Sequence, residues 1–204
     1  MTDERWVIAG LGNPGAEYAG NRHNAGYMVA GVLAARMGAA FKRDRSGAAV
    51  AVGRLAGVPV TVGKPRSYMN CSGGPVAALR SFYKVPAQRV LVVHDELDVP
   101  FGVIRLKLGG GDNGHNGLRS VSAALATRDY YRARLGIGRP PGRMDPAAFV
   151  LRDFSVTERK ELAVLIERCA DAVEALLGSG LEAAQNEFHP DFSPADSGRN
   201  PCAH

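Results

Sequence analysis

A histidine and an aspartate within reach of each other are the minimum needed to take a proton from water, and His23 and Asp95 offer that pair here. The carboxylate would fix the imidazole tautomer and stabilise the imidazolium that forms as water loses its proton. Asn13, Asn70 and Asn116 fall in similar surroundings, in loops after predicted strands or beside glycine turns. A carboxamide gives a neutral donor to a developing oxyanion and an acceptor to a substrate N–H. Such a set suits hydrolysis of an acyl bond. The same residues also have ordinary uses: loop histidines sit on surfaces, Asp95 can cap a turn, and asparagines take left-handed conformations. His23, His94, Asp95 and His115 could instead gather round a metal, although no pair has the spacing of a metal motif. Spacing alone leaves catalysis open.

The elements that must position these groups are legible from pattern. Trp6-Val7-Ile8-Ala9 reads as a buried strand ending in Gly10-Leu11-Gly12-Asn13-Pro14-Gly15, and a helix runs from about Ala25 to Met37, closed by Gly38. Ala48–Leu55 and Val58–Val62 flank Ala56-Gly57 as a hairpin. A loop over Lys64–Asn70 leads to a helix from about Pro75 to Tyr83, with Ser72 as its cap. Val90–Val93 is wholly apolar, as befits a strand covered on both faces, and empties into a loop at His94-Asp95-Glu96-Leu97-Asp98. Val103–Leu108 alternates apolar and basic residues, which gives a strand with Arg105 and Lys107 on a wet face. After the glycine run Gly109–Gly117 come a helix over Leu118–Ala126, a strand over Ala133–Gly138 and a mobile Pro/Gly loop over Arg139–Pro146. Ser155-Val156-Thr157-Glu158 fits a capping box opening the longest helix, to about Leu177, and a short helix ends near Phe188. Strands and helices in alternation indicate one α/β domain, with the opening loop at the carboxyl end of the first strand, where such sheets bind ligands.

Several templates are excluded. Gly10 to Gly15 matches the dinucleotide fingerprint, yet no helix starts within it, and no acidic residue lies between Tyr18 and Arg43 to hold a ribose. Gly57 to Lys64 resembles a phosphate loop with the wrong spacing and with Pro65 in place of the magnesium-binding hydroxyl. No Gly-x-Ser-x-Gly elbow is present. Hydrophobic residues at 46% and charged residues at 22% are ordinary for a globular protein. No apolar run approaches the roughly 18 residues of a membrane span, and Met1–Arg5 lacks a basic-then-apolar signal pattern. Cys71, Cys169 and Cys202 are odd in number and far apart, as expected of reduced thiols in a cytoplasm. A net charge of +5 and a pI near 9.3 point to an acidic partner, nucleic acid first.

Five blocks then carry a resemblance: Gly10-Leu11-Gly12-Asn13-Pro14-Gly15, Asn21-Arg22-His23-Asn24, Tyr68-Met69-Asn70-Cys71-Ser72-Gly73, His94-Asp95-Glu96-Leu97-Asp98 and Gly109–Gly117. In type and order, over about Val7 to His189, they resemble the bacterial peptidyl-tRNA hydrolase family. That resemblance implies a single-domain α/β/α sandwich with a central mixed, mostly parallel twisted sheet flanked by helices. Residues 1–189 would form the catalytic domain; the tail 190–204, rich in Pro, Ser, Asp and Gly, reads as disordered from its composition and has no family role. The implied activity is hydrolysis of the ester between a peptide and the tRNA 3′ end. His23 would be the proton acceptor, Asp95 would hold its basic form, and Asn13 would discriminate N-blocked from free aminoacyl-tRNA. Tyr18, Tyr68, Asn70, His115 and Asn116 would contact the 3′-terminal substrate, Met69 would shape the pocket, and Lys107 and Arg134 would grip tRNA phosphate. The family implies peptidyl-tRNA as partner, a cytoplasmic monomer, and no metal or cofactor. Asn21 stands where Thr is frequent and Asn113 where Gly or Ala is usual, so the glycine loop and the approach of Asn116 depart from the pattern. Two rivals make different demands: an RNA-binding module needs no His–Asp pair, and a metal-dependent hydrolase would fail with a chelator.

Overall fold

A computed structural model describes residues 4–189; the tail expected from Pro190 onward lies outside the described residues. Seven strands form one mixed sheet in the order β2-β3-β4-β1-β5-β7-β6. They are β1 (Trp6–Gly10), β2 (Lys42–Arg43), β3 (Ala48–Leu55), β4 (Val58–Pro65), β5 (Val90–Glu96), β6 (Ile104–Leu108) and β7 (Tyr131–Gly136). The central four, β4, β1, β5 and β7, are parallel. The flanks are antiparallel: β2 and β3 outside β4, and β6 outside β7. Ala56 and Gly57 both take positive φ, as a two-residue hairpin turn requires.

Successive strand residues point to opposite faces, so an apolar strand feeds two cores. On one face Ile8, Leu91, Val93, Ala133 and Leu135 pack under α1 (Ala25–Arg36), α5 (Val156–Ser179) and α6 (Leu181–Phe188). On the other, Val7, Ala9, Val90 and Val92 meet α2 (Gly73–Tyr83) and α3 (Asn116–Leu125). This is the expected α/β/α sandwich. The capping box of α5 forms as read, with Ser155 Oγ accepting from Glu158 N and Glu158 Oε2 from Ser155 N. The outer edge of β6 is covered by side chains: Gln185 donates to Leu106 O at 2.9 Å, and Leu106 N donates to His189 Nε2 at 2.6 Å. A strand edge so occupied is closed to further pairing.

Several local expectations need correction: the last strand lies at Tyr131–Gly136 rather than Ala133–Gly138, Lys64 and Pro65 belong to β4 rather than to a loop, and four further differences bear on the site. β5 runs on through Glu96, so His94 and Asp95 belong to the strand rather than to a loop after it. Their polarity suggested a loop, but each finds a partner and stays buried. Ser72 does not cap α2; its hydroxyl donates to Met69 O. α3 begins two residues early, at Asn116, with His115 as its N-cap. A short helix, α4 (Pro146–Val150), capped by Asp145, emerges from the loop expected to extend through Pro146.

The glycines of the opening block serve packing. A Cβ on Gly26 would lie 2.3 Å from Val93 O and 2.5 Å from Leu11 N, and one on Gly10 would lie 2.2 Å from Gly26 O. The first turn of α1 therefore sits directly on β1 and β5, with Tyr27 N donating to Leu11 O. Because a methyl here meets backbone that cannot swing aside, Gly26→Ala should cost at least about 2 kcal/mol. That corresponds to a melting temperature lowered by roughly 4–8 °C in a domain of this size. Thermal denaturation of the purified variant checks it, and an unchanged midpoint would contradict the tight crossing.

Candidate active site

At the carboxyl ends of β1 and β5 lies an open cleft of about 490 Å³. Its walls include Asn13 and His23 from the loop after β1, Asp95 and Glu96 from β5, Tyr68, Met69 and Asn70 before α2, and Asn113 to Asn116 of the glycine loop. Leu97 follows Glu96, and Asp145, Pro146, Ala147, Val150 and Leu151, at and around α4, complete the lining.

His23 rides on a 3₁₀ turn, Arg22–Asn24, that is braced from far along the chain. Asn21 bonds Asp153 at 2.7 Å, and Arg22 donates to Arg152 O and Asp153 O and pairs with Glu158 at 2.6 Å. The Arg22 guanidinium also lies 4.2 Å over the Phe149 ring. On the inner side, Asn24 and Asn13 exchange hydrogen bonds at 2.9 and 3.0 Å. The His23 ring is thereby held with Nδ1 3.0 Å from both oxygens of Asp95.

Asp95 is only 2% exposed. Burial disfavours its charge, but His23 and His115, by charge and hydrogen bond, more than offset this and hold the carboxyl well below its usual range. Facing an ionised carboxylate, His23 Nδ1 carries the proton, and Nε2 is the nitrogen left for the cleft. Burial pulls the imidazole toward its neutral form, while the charge and hydrogen bond of Asp95 prevail, so His23 protonates above the ordinary histidine value.

His115 reaches Asp95 Oδ1 through Nε2 at 3.0 Å, and its Nδ1 accepts from Gly117 N and Leu118 N at 3.1 and 3.3 Å. The donor atoms of His23, Asp95 and His115 lie within 4.8 Å of one another, close enough to surround an ion. A metal would need the lone pair of His115 Nε2. The two backbone N–H groups require the lone pair at Nδ1 instead, which leaves Nε2 bearing the proton. The hydrogen bonds thus fit proton transfer better than metal binding. His94, the fourth candidate of the sequence, is fully buried, bonds Asp95 O through Nδ1 at 2.6 Å, and does not line the cleft. Burial, with the neighbouring His115, pushes it well below the ordinary histidine range.

The carboxamides are oriented too. Asn13 Oδ1 accepts from Met69 N at 2.8 Å, which leaves its NH₂ as the group offered to the cleft. Asn70 and Asn116 are both exposed and line the cleft. Tyr68 stands exposed at the rim, and Tyr18 lies behind it, edge to face at 6.5 Å, outside the lining. Lys107 and Arg134 sit apart from the cleft, on β6 and β7. They share one face with Arg105 and Arg132, because Arg105 opposes Arg134 and Lys107 opposes Arg132 across the ladder.

Sequence reading missed Asn24, Glu96, the Arg22 brace and the α4 wall. Asn24 and Arg22 lie inside a block already singled out, so adjacency to His23 was the available signal. The departure at Asn113 has a use: at φ 49° it takes the left-handed conformation asparagine tolerates, and its amide donates to Glu96 Oε2 at 3.2 Å. Arg132, fully buried, donates to Gly110 O at 2.7 Å and to Gly111 O, which anchors the other end of the loop.

Comparison with known proteins gives the family. A family model described as peptidyl-tRNA hydrolase matches residues 7–196. The chain belongs to the peptidyl-tRNA hydrolase family. It is 66% identical to the peptidyl-tRNA hydrolase of Frankia casuarinae over 92% of this chain and 95% of that relative. With the Rhodococcus erythropolis peptidyl-tRNA hydrolase the identity is 62%, over 93% and 100%. The crystal structure of the Acinetobacter baumannii peptidyl-tRNA hydrolase superposes with a TM-score of 0.86 at 35% identity, covering 96% of this chain and 99% of that one. The protein is therefore an enzyme of the peptidyl-tRNA hydrolase class, with the family's α/β fold.

The raised His23 value sets the sign of the pH response. Were His23 to serve as a base it would have to be unprotonated, and activity should then fall as pH drops through a value above the ordinary histidine one. In Asp95→Asn the charge that raises this value is gone, and the acid limb should move to lower pH. An amide donor would also favour the wrong imidazole tautomer, so kcat should fall by about 10³–10⁴-fold. A pH–rate profile of this variant with an N-acetyl-aminoacyl-tRNA tests both, and an unmoved limb would argue against the Asp95 effect.

Proposed function

We propose that the cleft hydrolyses the ester joining a peptide to the 3′ end of tRNA, with His23 as general base. The observation that carries this reading is the His23–Asp95 pair at 3.0 Å in a cleft where the amide of Asn13 is held by Met69 N. His23 Nε2 takes a proton from water as its oxygen attacks the ester carbonyl. The C=O pair moves onto oxygen, and the NH₂ of Asn13, with the neighbouring carboxamides, stabilises the resulting oxyanion. The tetrahedral intermediate collapses, the C–O bond to the ribose breaks, and the 3′ oxygen leaves with the proton held on His23. A positioned base of this kind contributes about 10²–10⁴ in rate. An ester needs little leaving-group activation, so one His–Asp pair suffices. The products are a free peptide and a free tRNA that translation can reuse.

Selectivity for blocked substrates follows from desolvation. A peptide's next amide is neutral and can bond in the cleft, whereas a free aminoacyl ester brings an ammonium that is costly to bury without a partner. Asn13, fixed at the cleft wall, is the residue assigned to that discrimination. Tyr18, Tyr68, Asn70 and Asn116 are assigned to the substrate end by family likeness, with Met69 shaping the pocket; His115, expected there too, is left out because both its ring nitrogens are engaged within the protein. A monomeric catalytic domain over residues 1–189 is assigned by family likeness. A cytoplasmic setting follows from the substrate, and no described helix is long and apolar enough to cross a membrane.

The basic edge of the sheet suits the tRNA backbone. Partial burial, with Arg134 and Arg132 beside it, pulls Lys107 below its ordinary value. Burial and the flanking arginines likewise lower Arg134, against the opposing pull of Glu96. Like charges directly opposed across a ladder are unfavourable, and an anion between them relieves the repulsion. His23→Ala should abolish turnover while tRNA binding persists; retained hydrolysis would reject His23 as the base. Lys107→Ala should weaken tRNA binding and make the log–log salt dependence shallower by roughly one unit. Filter binding across a salt series measures it, and an unaltered slope would remove Lys107 from the phosphate site.

A further inference from the structure

We propose that His115 is a positioning residue that sets the basicity of His23 through Asp95. This rests on the reading of His23 as the base. The ring occupies the N-cap of α3, where Nδ1 accepts from two helix amides, Gly117 N and Leu118 N. An amide N–H has only a proton to give, so the lone pair of the ring must lie at Nδ1 and its hydrogen at Nε2. The cap thus fixes the tautomer, and the fixed tautomer makes His115 an obligatory donor to Asp95 Oδ1. With its side chain 9% exposed against 2% for Asp95, this bond is shielded from water.

Asp95 Oδ1 is therefore shared between two imidazoles, while Oδ2 accepts from His23 alone. A donor on a carboxylate disperses its charge and weakens its hold on a second partner. His115 thereby restrains the rise that Asp95 imposes on His23 and keeps the base free at working pH. Among the described residues the other charged and titratable groups around His23 are otherwise engaged. Glu96, on β5, accepts from Asn113 and Asp98 N and lies 3.9 Å from Arg134. His94, also on β5, is bonded to Asp95 O, and its ring stands 5.0 Å from that of His115. Asp145, on the α4 wall, caps its own helix by accepting from Ala147 N. Arg22 is paired with Glu158. This leaves His115, with its ring 4.8 Å from that of His23, as the group that can modulate the pair.

His115→Asn separates the two jobs of the ring. Asparagine is a favoured N-cap, so its oxygen can accept from the same amides, but its shorter side chain does not reach Asp95. The variant should keep its melting temperature to within about 2 °C. The acid limb of kcat/KM for an N-acetyl-aminoacyl-tRNA should move up by about half to one pH unit, with KM unchanged on the alkaline side. An NMR titration of the His23 ring in the free enzyme should show the same displacement. In an Asp95→Asn background, His115→Asn should shift the His23 titration no further. A limb and a His23 titration that stay fixed while KM rises would make His115 a substrate contact and overturn the proposal. So would an added shift in the Asp95→Asn background. Hydrolysis surviving in His23→Ala would instead remove the base assignment, and the NMR titration would still report the coupling on its own.

Discussion

A single charged oxygen pair, buried at the end of a central strand, organises this molecule. Placing an ionised carboxylate in a protein interior costs several kcal/mol unless donors meet it. Asp95 is met by two imidazole N–H groups, one from the loop after β1 and one from the start of α3. Each donor is held in turn by the backbone. His23 sits on a turn clamped to residues 152–158, and His115 is the cap of a helix whose amides dictate its tautomer. The carboxylate and its two rings stabilise one another, and the cleft forms where they meet.

The glycine loop joins this centre to the basic edge of the sheet. One end is fastened by Arg132 to the carbonyls of Gly110 and Gly111; the other is tied to β5 by Asn113 and Glu96. Glu96 also lies 3.9 Å from Arg134. A buried acid therefore stands between the cleft and the cationic face, and each is electrostatically aware of the other. Asn113, which departs from the usual glycine or alanine, supplies the tie without strain because asparagine accepts positive φ.

Much of the fold was legible because its signals are local. The capping box at Ser155, the hairpin turn at Ala56-Gly57 and the apolar run Val90–Val93 depend on neighbours within a few residues. Two of the failures share one cause. His94, Asp95 and Glu96 read as loop because charged residues seldom lie in a buried strand, and the partners that permit it come from remote segments. α4 carries only five residues and draws its order from packing, through Phe149 against Arg22.

The glycine-rich opening block shows the same division. Its letters match a phosphate-binding turn, whereas its function is to let α1 lie against β1 and β5, which only the positions of Gly26 O and Val93 O reveal. By itself the sequence determined the element order, the α/β class, the basic character and the family, because periodicity, caps and ordered motifs are written along the chain. Tertiary structure alone decided which nitrogen of each histidine bears a proton, which way the Asn13 amide faces, and that one oxygen of Asp95 serves two rings. Those outcomes depend on hydrogen bonds between groups up to 72 positions apart, and spacing along a chain carries no information about distance across it.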